Sequence, residues 1–277
     1  MTVDQQLIDA AAAALNVTVV EALKEGGQKT VLLTERTGKR FVMKVIATGS
    51  TLPDALKRAT REVELLKSID HPNVVKVASE LVELGETPDG VAWLEEHLEG
   101  EDLSEALTER WEWDVTKAMA LDVARGLSAM HDVKVVHRDL SSNNVRRLTT
   151  CRHVVMDPGY ARHTEKSQLT GHGQPGTPGF LSPEHLQAYS GAPTASSDVF
   201  CVGILMQLAL TTELPIPYTG NQGDYATRLA AVTVTDIGTI RQDLDAPVLA
   251  AIRRCLHPQP ARRFRNGSRL ASALENL

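Results

Sequence analysis

The sequence is poor in cysteine, has no long apolar run, and lacks the excess positive charge that nucleic acids attract. Three cysteines, Cys151, Cys201 and Cys255, stand far apart in a chain of 277 residues. Their odd number and spacing suit neither a disulfide framework nor a metal cluster, so a reducing compartment is expected. No apolar stretch approaches the roughly 18 residues needed to span a bilayer. The longest, around Val199 to Leu210, is broken by Gly203 and Gln207 and reads as a buried helix. The N-terminus has no basic start followed by an apolar core, so no secretory signal is expected. A net charge of -6 and a pI near 5.9 argue against nucleic-acid partners. The expectation is a cytoplasmic protein with no membrane contact and no nucleic acid.

What is present is ordinary globular material. Hydrophobic residues make up 42% and charged residues 23%, enough for one large domain or two lobes. Residues 4–15, with Ala10 to Ala14, have the composition of a short amphipathic helix. Positions 1–16 are therefore expected to be a helical extension that packs rather than acts. Val17 to Leu23, Thr30 to Thr34 and Arg40 to Ile46 are β-rich runs, with turns at Gly26-Gly27 and Thr37-Gly38. From Pro53 to Ile69, Leu56, Val63, Leu66 and Ile69 recur at helical spacing until His71-Pro72-Asn73 stops the helix. Strand-like runs continue to Leu94.

After Gly100 the pattern turns helical, with Met119, Val123, Leu127 and Met130 spaced along Thr116 to His131. A short strand at Val154 to Met156 follows, then a loop over 163–182 rich in Gly, Thr, Ser and Pro. Helical patterns resume near Ser197 and end in the apolar tail Leu270 to Leu277. There is no internal repeat. The fold class expected is α+β: a small β-rich lobe over 17–96 with one main helix, and a larger α-rich lobe over 97–277.

The chemistry concentrates in Val135-Val136-His137-Arg138-Asp139-Leu140-Ser141-Ser142-Asn143-Asn144. Asp139 and Asn144, five apart, can sit on one short loop and face the same pocket. The carboxylate would accept a proton from a hydroxyl, and the carboxamide oxygen would reach a divalent cation. The pattern is H-R-D-L-x-x-x-N.

With that loop as anchor, the chain resembles the protein kinase family over nearly its whole length, because further matches arrive in the family's order. Lys44, in Phe41-Val42-Met43-Lys44-Val45, matches the strand lysine that holds the α- and β-phosphates. Glu62, in Arg61-Glu62-Val63-Glu64, matches its helix partner. Asp157, in Met156-Asp157-Pro158-Gly159, matches the metal-binding Asp, with Asn144 at the second metal position. Thr177 and Gly179, in Gly176-Thr177-Pro178-Gly179, resemble the substrate segment of Ser/Thr members. Glu184, in Ser182-Pro183-Glu184, should be held by a buried arginine, with Arg263 the best match and Arg262 the fallback. Asp198 matches the helix residue that ties down the His137-Arg138-Asp139 backbone, and His137 is expected to hydrogen-bond structurally rather than titrate.

The resemblance implies the bilobal protein kinase fold. It also implies ATP lying against Gly26, Gly27, Val31, Val42, Lys44, Glu96, Leu98 and Asp102. Oxygen donors beside phosphate suit Mg2+. The implied reaction is transfer of the γ-phosphoryl group from ATP to Ser/Thr hydroxyls of protein substrates. Autophosphorylation is expected at Thr164, Ser167 and Thr170, through a homodimer, with Arg138 binding the added phosphate.

Several residues depart from the family pattern. The glycine loop keeps Gly26 but has Lys24 and Lys29 where outer glycines belong. Glycine lets backbone approach phosphates closely, so ATP should bind more weakly. Pro158 replaces an aromatic residue and lacks an N–H, which should alter the in/out switch at Asp157. Ser141 stands in place of a phosphate-steering lysine. Glu95 guards the back of the adenine pocket, and Arg146 replaces an apolar adenine floor. A lone buried charge is costly, so either Glu95 and Arg146 pair at the adenine site or a register slip of one or two residues leaves both exposed. Two other readings stay open: a pseudokinase serving as a binding module, and a small-molecule phosphotransferase of the aminoglycoside or choline type.

Overall fold

Alternation along the early strands builds a sheet covered on both faces. A computed structural model describes residues 3–25, 29–48, 53–85, 89–158, 162–163, 177–186 and 193–277. These divide into two units, Met1–Asp70 with Val75–Glu99, and His71–Val74 with Gly100–Leu277. In the first unit, β1 (Thr18–Glu25), β2 (Lys29–Arg36), β3 (Lys39–Ala47), β4 (Val82–Leu84) and β5 (Gly90–Glu96) form one antiparallel sheet in the order β1-β2-β3-β5-β4. Phe41, Met43 and Val45 point to one face of β3, where they pack with Leu32, Ala92 and Leu94.

Helix α1 (Gln5–Leu15) covers that face. Asp4 caps it by accepting the Leu7 N–H at 2.9 Å, and Asn16 ends it with a left-handed φ of 52°. Ala11 and Leu15 are buried in the same core as Met43 and Leu94. The expected extension over 1–16 is thus an integral layer of the first unit. Its alanines look weak in sequence because a small side chain buries little until a sheet lies against it. On the opposite face, helix α2 (Pro53–Lys67) packs Ala59 and Val63 on Val91 and Trp93. Glu62 lies inside that stripe, next to Val63 and one turn from Ala59 and Leu66.

The second unit opens with β6 (Gly100–Asp102) and α3 (Leu103–Ala106), followed by α4 (Trp113–Asp132) and β7 (Val135–Val136). Strands β8 (Val145–Leu148) and β9 (His153–Val155) join β6 in a sheet ordered β6-β8-β9, while β10 (Arg162–His163) pairs with β7. Gly100 holds φ 151°, and a Cβ there would lie 2.0 Å from the Arg147 carbonyl oxygen, so only glycine lets β6 approach β8 this closely. Helices α5 (Ala195–Thr211), α6 (Gln222–Ala231), α7 (Ile237–Ile240), α8 (Ala246–Cys255) and α9 (Gly267–Glu275) complete the unit. Met119, Val123, Leu127 and Met130 are buried along α4, and α5 is buried on nearly every side. A helix that is apolar all round belongs inside. Among the described residues no helix is long and apolar enough to cross a membrane.

His71–Val74 groups with the second unit although it precedes β4 and β5 of the first. Asn73 Nδ2 donates to the His153 carbonyl at 2.7 Å, and the Val155 N–H donates to the Asn73 carbonyl at 2.9 Å. Gly126 makes room, since a Cβ on it would sit 2.5 Å from the Asn73 oxygen. The residues that stop α2 therefore serve as an edge of β9. Sequence distance hides this, because the bonds span 80 residues.

Candidate active site

In the first unit, Lys44 is buried and its Nζ donates to Glu62 Oε1 at 2.9 Å. Strand β3 supplies the lysine and the buried face of α2 supplies the glutamate. Val31 pairs with Lys44 in the sheet, and Val42 pairs with Glu95. Glu96 is engaged with its own unit, its Oε1 accepting the Lys76 N–H at 2.9 Å. Leu98 is buried. Gly26 and Gly27 lie outside the described residues.

In the second unit, Asp139 is held from two sides. Thr177 donates both its N–H and its Oγ1–H to Asp139 Oδ1, each at 2.9 Å. Asn144 Nδ2 donates to the Asp139 carbonyl at 2.7 Å, which leaves the Asn144 carbonyl oxygen, Oδ1, as the atom able to meet a cation. The Met156 N–H donates to the Asn144 carbonyl at 2.8 Å, bringing Asp157 next along the chain. Asp157 has a left-handed φ of 55°, a region that Asp enters more readily than most non-glycine side chains, directly before the buried Pro158. A carboxylate and a carboxamide oxygen are hard donors, so this pair fits Mg2+.

Buried charges set the loop's backbone. Asp198, from the first turn of α5, accepts the N–H groups of His137 and Arg138 at 2.9 and 3.0 Å and the His131 Nε2–H at 2.9 Å. Burial alone would raise its pKa. The hydrogen bond and charge of His131, with the Arg138 amide, outweigh that and hold it low. His137 is fully buried, and its Nε2–H donates to the Met156 carbonyl at 3.0 Å. Glu184 and Arg263 form a bidentate pair at 2.7 and 2.9 Å, and Ser197 Oγ also donates to Glu184.

Glu95 and Arg146, weighed above as a pair, fall in different units, and each has partners within its own. Glu95 takes Lys44 Nζ at 2.7 Å and the Trp93 indole N–H at 2.9 Å. Arg146 Nη1 donates to Asp102 Oδ1 at 2.8 Å and its Nη2 to the Gly100 carbonyl. The reason is register. Both charges find partners on adjacent strands, Glu95 across β3–β5 and Arg146 across β6–β8. Asp102, placed by the resemblance at the nucleotide, therefore already binds Arg146. Thr164, Ser167 and Thr170 lie outside the described residues.

His185 is a site residue that sequence reading missed. Its Nδ1 accepts from Ser182 N and Oγ at 3.1 and 2.9 Å, and its Nε2–H donates to the Arg138 carbonyl at 2.9 Å. It links the turn after Thr177 to the residue before Asp139. Burial lowers its pKa from the ordinary 6.5, more than its backbone bond to Arg138 raises it. The unfolded chain therefore takes up the proton first. Stability tied to neutral His185 is whole above pH 6.5 and is lost as pH falls from there towards the lower folded value. Thermal unfolding between pH 7.5 and 5 should show a steeper acid loss for wild type than for His185→Gln. Parallel curves would remove His185 as the cause.

Comparison with known proteins gives the same direction. The family model described as the protein kinase domain matches residues 18–273. A serine/threonine-protein kinase, pkn2, of Myxococcus xanthus is 32% identical over 209 residues, covering 71% of this chain and 24% of its own length. Pkn3 of the same organism, also a serine/threonine-protein kinase, is 28% identical over 275 residues, covering 93% of this chain and 44% of its own. The LRR receptor-like serine/threonine-protein kinase FEI 2 of Arabidopsis thaliana is 32% identical over 163 residues, 56% of this chain and 26% of its own. The chain thus spans less than half the length of these curated relatives.

Proposed function

This chain belongs to the protein kinase domain family, and from that premise we propose that it transfers the γ-phosphoryl group of ATP to Ser or Thr hydroxyls of protein substrates. The observation that carries the reading is the state of Asp139. Thr177 occupies Oδ1 with two bonds, while among the described residues Oδ2 has only a 3.4 Å approach from Asn144 Nδ2. Oδ2 is the oxygen left to orient the acceptor hydroxyl and take its proton late in the reaction. Lys44 would hold the α- and β-phosphates. Asn144 Oδ1 and the Asp157 carboxylate would hold Mg2+, which neutralises charge on the transferring group. Asp198 and His137 keep the loop's backbone from moving as that charge develops.

Thr177 carries the Ser/Thr preference, since a side chain that bonds Asp139 also borders the acceptor. The reading places the protein in the cytoplasm, where Cys151, Cys201 and Cys255 would stay reduced. It also includes autophosphorylation at Thr164, Ser167 and Thr170 between two copies of the chain. Incubation with ATP and Mg2+ followed by mass spectrometry tests the transfer and its sites. Phosphate on Ser or Thr in wild type, and none in Lys44→Met, is the expected result. No incorporation by wild type into itself or a general protein substrate would replace the enzyme reading with that of a binding module. Incorporation into an aminoglycoside or choline but not protein would favour the small-molecule reading.

A further inference from the structure

Glu62 shares Lys44 with a second carboxylate, Glu95. The Lys44 Nζ lies 2.9 Å from Glu62 Oε1 and 2.7 Å from Glu95 Oε1, and none of the three side chains is more than 6% exposed. Register explains the second contact. Lys44 pairs with Trp93 and Val42 with Glu95 across β3 and β5, and residues two apart share a face. Glu95 is thus the diagonal neighbour of Lys44, within reach of a long side chain. Trp93 fixes the carboxylate with its indole N–H, 2.9 Å from the same Oε1, and places its ring 5.5 Å from the ammonium.

An ammonium has three N–H donors. With Glu62 and Glu95 each taking one, at most one can turn to a phosphate. Glu95, a carboxylate held 2.7 Å from Nζ, also repels phosphate brought to the same ammonium in a low dielectric. Resting on the kinase reading above, we infer that Glu95 is a positioning residue that holds Lys44 independently of Glu62 and, in doing so, weakens the grip of Lys44 on the nucleotide phosphates. The lysine stays placed when its bond to α2 opens. This separates two tasks that a single glutamate would otherwise combine.

The test uses the full chain and two readouts. Without nucleotide, thermal unfolding of Lys44→Met, Glu95→Met and the double variant should be non-additive. Calorimetry with Mg2+–ATP and with adenosine then reads the nucleotide side. Glu95→Met should tighten ATP by about 5- to 20-fold with adenosine unchanged, within the coupling range of contacting groups. Glu95→Gln, which keeps the size and the Trp93 bond, should fall between. Glu62→Gln should lower kcat about ten times more in the Glu95→Met background than in wild type, because the second anchor is gone.

Additive unfolding effects, equal changes for ATP and adenosine, or the same Glu62→Gln loss in both backgrounds would each overturn the inference. If unfolding is coupled but neither wild type nor any variant binds ATP, the kinase reading fails and the phosphate half of the inference with it. Coupling lost while ATP still binds sinks the inference alone.

Discussion

Asp139→Asn is expected to lower phosphoryl transfer by about 10²- to 10⁴-fold, the usual worth of a positioned general base, while leaving ATP affinity and the unfolding temperature nearly unchanged. The substitution preserves shape. Asn can keep its carbonyl oxygen towards Thr177, whose N–H and Oγ1–H both bond Asp139 Oδ1. What it loses is the second oxygen, since an NH2 group takes the place of Oδ2 and cannot receive a proton. The Asn144 bond runs to the backbone carbonyl of Asp139, not chiefly to its side chain, so the loop should hold its course. Single-turnover transfer at saturating Mg2+–ATP measures the effect directly. Activity within a few-fold of wild type would mean that Asp139 is not the proton acceptor. Thr177→Val should cost less, because its N–H bond to Oδ1 remains.

The largest expected effect on stability is at Arg263. Its Nη1 and Nη2 clasp Glu184, its Nε donates to the His257 carbonyl at 2.7 Å, and further bonds reach the Ser196 and Pro258 carbonyls. The guanidinium also lies over Phe200, 4.6 Å from the ring centroid. Truncation to Ala leaves a buried carboxylate with Ser197 as its remaining partner among these bonds, and three carbonyls without their donor. Breaking a buried pair from one side costs roughly 3–5 kcal/mol, and in a chain of this size that is roughly 10 °C in Tm. Removing both charges at once, as Glu184→Leu with Arg263→Met, should cost much less, because no ion is left unpaired. Thermal unfolding of the three variants decides it. A double variant as unstable as Arg263→Ala would show that packing over Phe200 matters more than the charge.

The two predictions differ in what the sequence could reveal of them. Asp139 and Asn144 sit five residues apart, so their cooperation is local and a short motif carries it. Glu184 and Arg263 are 79 residues apart. Each was nonetheless recognisable, because each stands in a short run whose order along the chain matches the family. Lys44 and Glu62 were legible in the same way. Periodicity alone did not place Glu62 in the apolar stripe; its burial beside Ala59 and Val63 came with the packing of α2 on Val91 and Trp93.

Where the reading failed, the cause was pairing between strands. Glu95 and Arg146 both stand out in the sequence as charges in unfavourable places, which mutual pairing or exposure would relieve. The sheet of its own unit gives each a partner, Lys44 for Glu95 and Asp102 for Arg146. A diagonal neighbour across β3 and β5 is set by register, and a one-residue slip would move Glu95 to the opposite face. Nothing in the order of residues states that register. Helix α1 was legible as a packing helix, but which core it joins was not, since Ala11 and Leu15 become core only once the β-sheet lies against them. His185 carried no motif, and its bond to the Arg138 carbonyl depends on the turn at Ser182 meeting the catalytic loop.

The sequence by itself determined the family, the α+β class and the residues able to do phosphoryl chemistry, because these depend on residue type and order. It also determined which helices are buried, through period and composition. Only the tertiary structure decided who pairs with whom: Glu95 with Lys44, Arg146 with Asp102, Asn73 with His153, His185 with Arg138. A buried charge or amide must find some partner, and sequence can state that requirement. Which partner it finds is a matter of a few ångströms, fixed by strand register and helix packing.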